Sequence, residues 1–362
     1  MERRYNFNAG PSALPLEVLD HAQSELLSYQ QLGMSIMEFS HRSKEYQKIH
    51  DGAKELLRDL LDIPDNYEVL FLQGGASLQF SMIPMNFLTN GSKGNYILTG
   101  SWSEKALKEA EKVGRTYIGG CSKEAEYRRI PEFDTLHYSD QDAYVHLTSN
   151  NTIHGTQWKK FPERHNTNYI ADMSSDILSR SLPIKQFGLI YAGAQKNLGP
   201  AGVTVVIIKK DMLQNIPNNL PTMLDYRTHV NKNSLYNTPP SFAIYMLSLV
   251  LEWTKNKGGI QAIEKINAEK TNLLYDTIDG SNGFYSGTAE KTSRSSMNVT
   301  FTLPGKELEE LFLQEAEEEG FVGLKGHRSV GGCRASIYNA VPLESVQALS
   351  DFMNNFHHKH NI

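Results

Sequence analysis

The residues of this 362-residue chain that are best placed to do chemistry are a lysine and an aspartate, each following an apolar run. Lys196 lies in "AGAQKNLGPAG", a stretch of small residues between the strand-like runs "GLIYA" and "VTVVII". Asp172 ends the apolar run of "NYIADMSSD", where a buried carboxylate is costly unless it meets a cation. The two positions are neighbours if their strands are parallel. They predict either a plain Asp–Lys ion pair or a ligand that lies between the two side chains; the lysine taken alone is equally typical of a protein surface.

A possible anion site follows the apolar run "YEVLFL", in the stretch "QGGASLQF". Two glycines let the backbone approach a ligand, and the first turn of the following helix offers free N–H groups, here those of Ala76 and Ser77. An ordinary strand–helix turn has the same composition. Neither G-x-x-x-x-G-K-[ST] nor G-x-G-x-x-G occurs, which argues against a Walker-type loop and a dinucleotide fold.

Two further strand ends carry polar or aromatic residues. In "TGSWSE", Trp102 offers a flat ring that could stack on a bound aromatic ligand, although a tryptophan that seals a helix–sheet boundary is as common. In "HLTSNNTIHG", Thr152 belongs to a group of hydroxyls and amides that by itself indicates only a turn.

One cofactor accounts for these features together. Pyridoxal phosphate needs an amine for a Schiff base, a carboxylate for its ring nitrogen, a stacking ring and an anion site for its phosphate. The residues that match these needs, in that order, are Lys196, Asp172, Trp102 and the pair Ala76 and Ser77. No metal site is predicted, because the terminal "HHKH" has no second ligand cluster near it and is typical of a solvated helix end.

The elements that must position these residues alternate between strand and helix patterns through the first 210 residues. This alternation predicts an α/β fold with a mostly parallel sheet and helices on both faces, in which ligands bind beyond the carboxyl ends of the strands. Residues 216–240 show no period, and such a long segment without structure is usually functional or disordered. Two helical patterns follow, and then a compact α+β unit of about 100 residues.

Composition excludes several classes of protein. A net charge of −5 and a pI near 6.2 argue against a general nucleic-acid binder. Two cysteines cannot form a disulfide framework, which favours a reducing compartment. No apolar run approaches the ~20 residues of a membrane span, and the N-terminus lacks the apolar region of a signal peptide. We therefore expect a cytoplasmic protein with no membrane and no nucleic-acid partner.

The chain also resembles a known family almost from end to end. The motifs that carry the resemblance are "NFNAGPSALP", "GGAS", "SW", "NNTIHGTQW", "ADMSSDILSR", "AGAQKNLGPAG", "YNTPPSFAIY" and "GHRSVGGCRASIYNA". They are similar to those of the phosphoserine aminotransferases, class V aminotransferases of the PLP-dependent transferase fold type I. The resemblance implies a large PLP-binding domain at residues 16–261, with a mostly parallel sheet of the seven-stranded type. It implies a smaller α+β domain formed by residues 1–15 and 262–362.

For the cofactor, the resemblance implies a homodimer with each active site at the subunit interface. Asn237 and Thr238 would hold the cofactor phosphate of the partner subunit. Gln195 would touch the same phosphate, and Thr152 would touch the cofactor.

Several cations could hold a substrate with two anionic groups. "SHRS" contains His41 and Arg42, and "GHRSVGGCRAS" contains His327, Arg328 and Arg334. Arginine suits carboxylate and phosphate because its fork is bidentate and permanently charged, although each His-Arg pair taken alone is typical of a solvated surface. The resemblance implies that Arg334 binds the α-carboxylate and that the other four form the pocket for the phosphate or the side-chain carboxylate.

The reaction that the resemblance implies is the reversible transamination of 3-phosphohydroxypyruvate with L-glutamate. The products are O-phospho-L-serine and 2-oxoglutarate, in L-serine biosynthesis; 4-phosphohydroxy-L-threonine, of pyridoxine biosynthesis, is a second candidate substrate. One alternative is a lyase or cysteine desulfurase of the same fold, for which Cys333 is the only candidate nucleophile. The other is a non-catalytic anion-binding protein, which leaves Lys196 and Asp172 unexplained.

Overall fold

The computed structural model describes residues 3–89, 91–164 and 166–360 of the chain. The helices in these residues are α1 (Leu16–Glu25), α2 (Lys44–Leu61), α3 (Gly75–Phe87), α4 (Ser101–Glu111), α5 (Tyr226–Asn231), α6 (Ser241–Asn256), α7 (Gly259–Gly280), α8 (Lys306–Glu318) and α9 (Leu343–His360). The strands are β1 (Tyr5–Asn6), β2 (Tyr67–Leu72), β3 (Lys93–Leu98), β4 (Thr116–Cys121), β5 (Asp142–Thr148), β6 (Asn150–Asn151), β7 (Thr156–Gln157), β8 (Tyr169–Asp172), β9 (Phe187–Gly193), β10 (Thr204–Lys209), β11 (Ser286–Gly287), β12 (Asn298–Thr302), β13 (Phe321–Val322) and β14 (Cys333–Ser336).

A seven-stranded sheet with the order β2-β10-β9-β8-β5-β3-β4 forms the centre of the fold. Strand β10 runs antiparallel to both of its neighbours, and the other neighbouring pairs are parallel. The predicted α/β fold with a mostly parallel sheet is confirmed. Strand β4 was not predicted, because Gly119 and Gly120 interrupt its apolar run. A Cβ at Gly120 would lie only 2.5 Å from Leu136 Cδ2, so the residue packs there because it has no side chain.

Helices cover both faces of this sheet. Along β9, Ile190 and Ala192 belong to an apolar cluster with side chains of α2 and α6, whereas Leu189 and Tyr191 belong to a second cluster with α3 and α4. Successive residues of a strand point to opposite faces, so a strand covered on both sides must be apolar throughout. This explains why the strands read as continuous apolar runs in the sequence.

A smaller three-stranded antiparallel sheet, β11-β12-β14, is formed by the C-terminal part of the chain. Helices α7, α8 and α9 contribute Leu274, Phe312 and Leu349 to its apolar cluster. Strand β1 also belongs to this region, because it pairs in parallel with β13.

We retain as a proposal the division into a large domain at residues 16–261 and a small domain made of residues 1–15 and 262–362. One observation that supports it is the position of Phe7 and Ala13, which lie in the apolar cluster of the C-terminal sheet. A shared apolar core is the usual basis of a domain.

The expectation that residues 216–240 lack regular structure is wrong in part, because they contain α5. Asp225 caps this helix by accepting a hydrogen bond of 2.8 Å from the backbone N–H of Arg227. The guanidinium of Arg227 in turn binds the carboxylate of Asp225 at 2.7 Å and the carbonyl oxygen of Pro217 at 2.8 Å. The segment is therefore ordered by polar contacts, which leave no apolar period in the sequence.

The described ranges lack two further features. No helix within them is both long and apolar enough to cross a membrane. They contain no cluster of three or more His, Cys, Asp or Glu side chains that could hold a metal ion.

Candidate active site

The carboxyl ends of several strands lie side by side at one edge of the large sheet. Asp172, the last residue of β8, pairs with Thr148 of β5 on one side and with Tyr191 of β9 on the other. Gly193, at the end of β9, pairs through Thr204 of β10 with Leu72 at the end of β2. Neighbouring strands are about 4.8 Å apart, so the loops that follow these strands meet within a few strand widths. All the residues predicted for the cofactor, apart from Asn237 and Thr238, follow or end these strands or the adjoining β3.

Lys196 and Asp172 face each other at this edge without forming an ion pair. No nitrogen–oxygen contact of 4.0 Å or less joins them, although each influences the other electrostatically. The Nζ of Lys196 also has no hydrogen-bond partner among the described residues. The plain ion pair considered from the sequence is therefore not what the structure contains.

Burial alters the protonation of both groups. Loss of hydration lowers the pKa of Lys196, and the negative charge of Asp172 opposes that decrease. Loss of hydration raises the pKa of Asp172, which is only 6% exposed, and the attraction of Lys196 opposes that increase. The site thus favours the neutral, nucleophilic form of the lysine more than water does.

Ser174 orients the aspartate. Its backbone N–H donates a hydrogen bond of 3.0 Å, and its hydroxyl one of 2.6 Å, to the same oxygen, Oδ1 of Asp172. The hydroxyl of Ser174 also accepts a hydrogen bond of 3.1 Å from the backbone N–H of Gly193. Oδ2 of Asp172 has no partner among the described residues and is free to accept a hydrogen bond from a ligand.

Trp102 lies in the first turn of α4 and closes one side of the site. Its ring centroid is 5.5 Å from Nζ of Lys196 and 4.2 Å from Nζ of Lys105. Its indole N–H donates a hydrogen bond of 3.1 Å to the hydroxyl of Thr152, which is buried. A ring fixed at one edge in this way offers a rigid face for stacking.

Arg334 approaches the same group of residues from β14. Its Nη1 donates a hydrogen bond of 2.9 Å to the backbone carbonyl of Thr152, and its charge lowers the pKa of Lys196. The Nε of Arg334 is buried and has no hydrogen-bond partner in the described chain. A buried donor without a partner is costly, and an anion would satisfy it.

The predicted anion site lies at the start of α3. Gly74 and Gly75 have φ angles of +86° and +65°, which glycine adopts without strain. Ala76 is half-buried, Ser77 is exposed, and the described residues provide no acceptor for their backbone N–H groups. A helix start of this kind attracts anions.

Three other predicted residues lie around Lys196 and Arg334. Gln195 is half-buried beside Lys196, with its Oε1 2.8 Å from where a Cβ of Gly193 would lie. Burial lowers the pKa of His327, and the nearby charge of Arg334 lowers it further. Arg328 is exposed next to it.

Four other predicted residues lie in two further loops. His41 and Arg42 lie in a turn before α2. Asn237 and Thr238 lie in the loop before α6, where the carbonyl of Thr238 accepts a hydrogen bond of 3.3 Å from the side chain of Gln73. Of these four, Asn237 and Thr238 are the two that the sequence resemblance assigns to the site of a partner subunit, and that assignment stays a prediction.

The N-terminal segment contributes two residues that sequence reasoning missed. The hydroxyl of Ser12 donates a hydrogen bond of 2.5 Å to the carbonyl of Lys196, and its backbone N–H donates one of 3.0 Å to the carbonyl of Gln195. A Cβ at Gly10 would lie 3.3 Å from Cγ of Lys196. The small residues of "NAGPSALP" are the only signal of this contact in the sequence, and they do not show what the segment packs against.

Comparisons with known proteins show the family of the chain. The sequence matches the aminotransferase class-V family over residues 4–349. It is 66% identical to the phosphoserine aminotransferase of Geobacillus kaustophilus, over 98% of this chain and 99% of that one. Its fold is similar to two solved structures, the phosphoserine aminotransferase of Bacillus circulans subsp. alkalophilus (TM-score 0.98, 56% identity, 99% of both chains) and the PLP-bound phosphoserine aminotransferase of Trichomonas vaginalis (TM-score 0.92, 40% identity, 97% of this chain and 100% of that one).

The electrostatic coupling of the two central residues can be tested without any ligand. Asp172→Asn removes the charge that opposes the effect of burial, so the pKa of Lys196 should fall further in the ligand-free protein. The pKa is measured from the pH dependence of acetic anhydride labelling at Lys196, followed by peptide mass spectrometry. Labelling at neutral pH should therefore be faster in the variant.

Ser174→Ala is the matched control, because it removes a hydrogen bond to Asp172 but keeps the charge. It should change the labelling of Lys196 less than Asp172→Asn does. An unchanged or higher pKa of Lys196 in Asp172→Asn would contradict the coupling.

Proposed function

The chain belongs to the class-V aminotransferase family, and on that premise we propose that it transfers the amino group of L-glutamate to 3-phosphohydroxypyruvate, with pyridoxal phosphate as cofactor. The products are O-phospho-L-serine and 2-oxoglutarate, and the reaction is reversible. The observation that carries the proposal is the position of Lys196, which faces Asp172 and the ring of Trp102 but is bonded to neither. Its near full-length relatives named phosphoserine aminotransferase support the substrate.

The unused polar groups of the site fit this cofactor. Oδ2 of Asp172 can accept the N–H of a pyridinium ring, and the face of Trp102 can stack on that ring. The free N–H groups of Ala76 and Ser77 can bind a phosphate. We assign the amine to Lys196, with Thr152 and Gln195 as further residues that would contact the cofactor.

The residues around the cofactor have distinct roles in the reaction. When bound, pyridoxal phosphate supplies a carbonyl carbon that forms a Schiff base with an amine and a ring that accepts electrons from the substrate. Asp172 holds a proton on the ring nitrogen through its negative charge. Nζ of Lys196 would accept the proton of the substrate α-carbon when the cofactor and the amino acid are bound. Its lowered pKa favours the neutral form that this transfer requires.

Five basic side chains, three of them permanently charged arginines, are available for the two anionic groups of the substrate. None of them forms an ion pair with a carboxylate of the described residues: His41, Arg42, His327, Arg328 and Arg334. Charged side chains without a partner favour the binding of an anionic ligand. We assign the substrate α-carboxylate to Arg334, whose buried Nε lacks a partner, and the phosphate or the second carboxylate to the other four.

The alternatives considered from the sequence fit less well. A cysteine desulfurase needs a reactive thiolate, but Cys333 is buried in β14 and burial raises its pKa. A non-catalytic anion-binding protein has no use for a half-buried lysine that faces a buried aspartate. Both observations favour the transaminase.

We also propose that the enzyme is a homodimer that shares its active sites. The segment before His41 exposes several large apolar side chains, of which Leu27 is 87% and Met37 54% exposed. Tyr236, next to Asn237, is 48% exposed. Apolar surface of this kind is typical of a protein interface. One apolar region adjoins His41, and the other adjoins Asn237. Both residues are assigned to the active site, but neither has a described hydrogen bond with Lys196 of its own chain.

A cytoplasmic location is part of the proposal, supported by the two cysteines, which are both free.

Transamination of 4-phosphohydroxy-L-threonine is proposed as a second activity, because that substrate also carries a carboxylate and a phosphate.

The substrate assignment predicts strong selection for two anionic groups. Alanine lacks the second one, so its kcat/KM as amino donor should be roughly 100-fold or more below that of glutamate, because hydrogen bonds to charged groups are worth about 1.5–3 kcal/mol each. Arg42→Ala should impair the turnover of both phosphoserine and glutamate while leaving the visible absorption of the bound cofactor unchanged. The measurement is steady-state kinetics in both directions.

Arg115→Ala is the matched control, because Arg115 is also exposed but precedes β4 at the opposite edge of the sheet. It should leave the kinetics unchanged. Alanine as good a donor as glutamate, or normal phosphoserine turnover by Arg42→Ala, would refute the pocket for two anions.

Sharing of the sites predicts complementation between two inactive variants. One carries Lys196→Ala, and the other carries both Asn237→Ala and Thr238→Ala. Random mixing of a two-fold symmetric dimer then leaves about a quarter of all sites with no lesion, and activity should rise to about that fraction of the wild-type value.

Mixing Lys196→Ala with Asp172→Ala is the control, because both lesions affect the part of the site that one chain supplies. That mixture should stay inactive. Failure of the first mixture to recover activity, when co-purification through an affinity tag on one variant shows that mixed dimers have formed, would contradict the shared site.

A further inference from the structure

The N-terminal segment lies against Lys196, and other parts of the fold must hold it there. Gly10 lies against the side chain of Lys196, because a Cβ there would be 3.3 Å from Cγ of the lysine, and Ser12 bonds the carbonyls of both Gln195 and Lys196. Such contacts position the lysine only if the segment is itself fixed. Its position therefore depends on contacts made by the residues just before it.

Tyr338 makes that contact from the C-terminal part of the fold. Its hydroxyl donates a hydrogen bond of 2.8 Å to the carbonyl of Ala9, the residue before Gly10. The side chain of Tyr338 is fully buried. A hydrogen bond in such a place is shielded from water, and its loss leaves the carbonyl of Ala9 without this donor.

The backbone around Tyr338 is held by a buried lysine. Nζ of Lys270 donates hydrogen bonds of 3.0, 2.8 and 3.1 Å to the carbonyls of Ile337, Tyr338 and Val341. Lys270 is itself fully buried in α7. Tyr338 therefore projects from a rigid base.

A buried amide connects the same hydroxyl to the other side of the active site. Asn298 donates a hydrogen bond of 3.2 Å to the hydroxyl of Tyr338 and one of 3.0 Å to that of Ser336. Its Oδ1 accepts a hydrogen bond of 2.8 Å from Asn150, two residues before Thr152. Networks of buried and fully bonded polar groups are rigid. This network joins the loop of Thr152 to the N-terminal segment on Lys196.

We propose that Tyr338 is a positioning residue for Lys196, acting through residues 9–12. The inference rests on the proposed function, since Lys196 is assigned there as the catalytic amine. The hydroxyl of Tyr338 forms no hydrogen bond with Lys196, Asp172 or Trp102 in the described chain; its partners are Ala9 and Asn298. It fixes Ala9, so that Gly10 limits the space around the lysine side chain and Ser12 holds the lysine backbone.

The test compares two Tyr→Phe variants in the holoenzyme. Tyr338→Phe removes the hydroxyl that bonds Ala9. Tyr285→Phe is the matched control, because Tyr285 is also buried in the C-terminal part of the fold and its hydroxyl also donates a hydrogen bond of 2.8 Å to a backbone carbonyl, that of Met353. Tyr338→Phe also leaves the amide of Asn298 without one acceptor, so the stability of both variants is measured by thermal unfolding. A purely structural role predicts a loss of function that follows the loss of stability.

Two readouts distinguish positioning from stability. Amide hydrogen exchange in the peptide that contains residues 9–13 should be faster in Tyr338→Phe than in Tyr285→Phe, because the N–H of Ser12 is bonded to Gln195. In addition, kcat should fall by about tenfold or more in Tyr338→Phe, with KM for glutamate changed less than about twofold, because the lysine is displaced and the substrate cations are not.

Equal exchange in the two variants, or faster exchange without a fall in kcat, would overturn the proposal. If Tyr338→Phe does not fold, Ser12→Ala takes its place with the same kinetic criterion, since it removes only the hydroxyl that bonds the carbonyl of Lys196. A wild-type enzyme that does not transaminate would contradict the proposed function instead. The exchange comparison would still report whether Tyr338 holds the segment.

Discussion

The active site depends on two groups of opposite charge, Lys196 and Asp172, which are close enough to influence each other but are not in contact. Burial lowers the pKa of Lys196 and raises that of Asp172, and their mutual attraction limits both changes. Two buried charges that are not in contact with each other are costly unless a ligand between them interacts with both. The space between the two groups is therefore best understood as a binding site, and the surrounding structure keeps them apart. Ser174 fixes the aspartate from one side, while Gly10 and Ser12 fix the lysine from the other.

The sheet topology explains why such a pair can be built. Parallel strands bring the ends of β5, β8 and β9 to one edge, where short loops are free to carry polar residues. The interior of each strand is covered by helices on both faces and has to remain apolar. The antiparallel strand β10 lies between β2 and β9. The start of α3 at Gly75, which follows β2, is therefore two strands away from Lys196, which follows β9. A ligand with an aromatic ring and a phosphate spans a distance of this order.

Much of this could be predicted from the sequence, because local patterns determine it. The apolar runs in the sequence predicted all the strands of the large sheet except β4. The residues at the ends of these runs indicated Lys196, Asp172 and Trp102. Contacts between distant parts of the chain were not predictable in this way. Ser12 is 184 residues from Lys196, and nothing in its local sequence shows that the two meet. Strand β4 was missed because its glycines are required by packing against distant residues, Asn95 for Gly119 and Leu136 for Gly120, which is also a long-range effect.

The central claim is that Lys196 is the amine that carries the cofactor. The most direct measurement is borohydride reduction of the holoenzyme, followed by digestion and peptide mass spectrometry. The account predicts a pyridoxyl label on the peptide that contains Lys196, and none on the peptides of Lys105 or Lys270. A label on another lysine, with Lys196 unmodified, would contradict it.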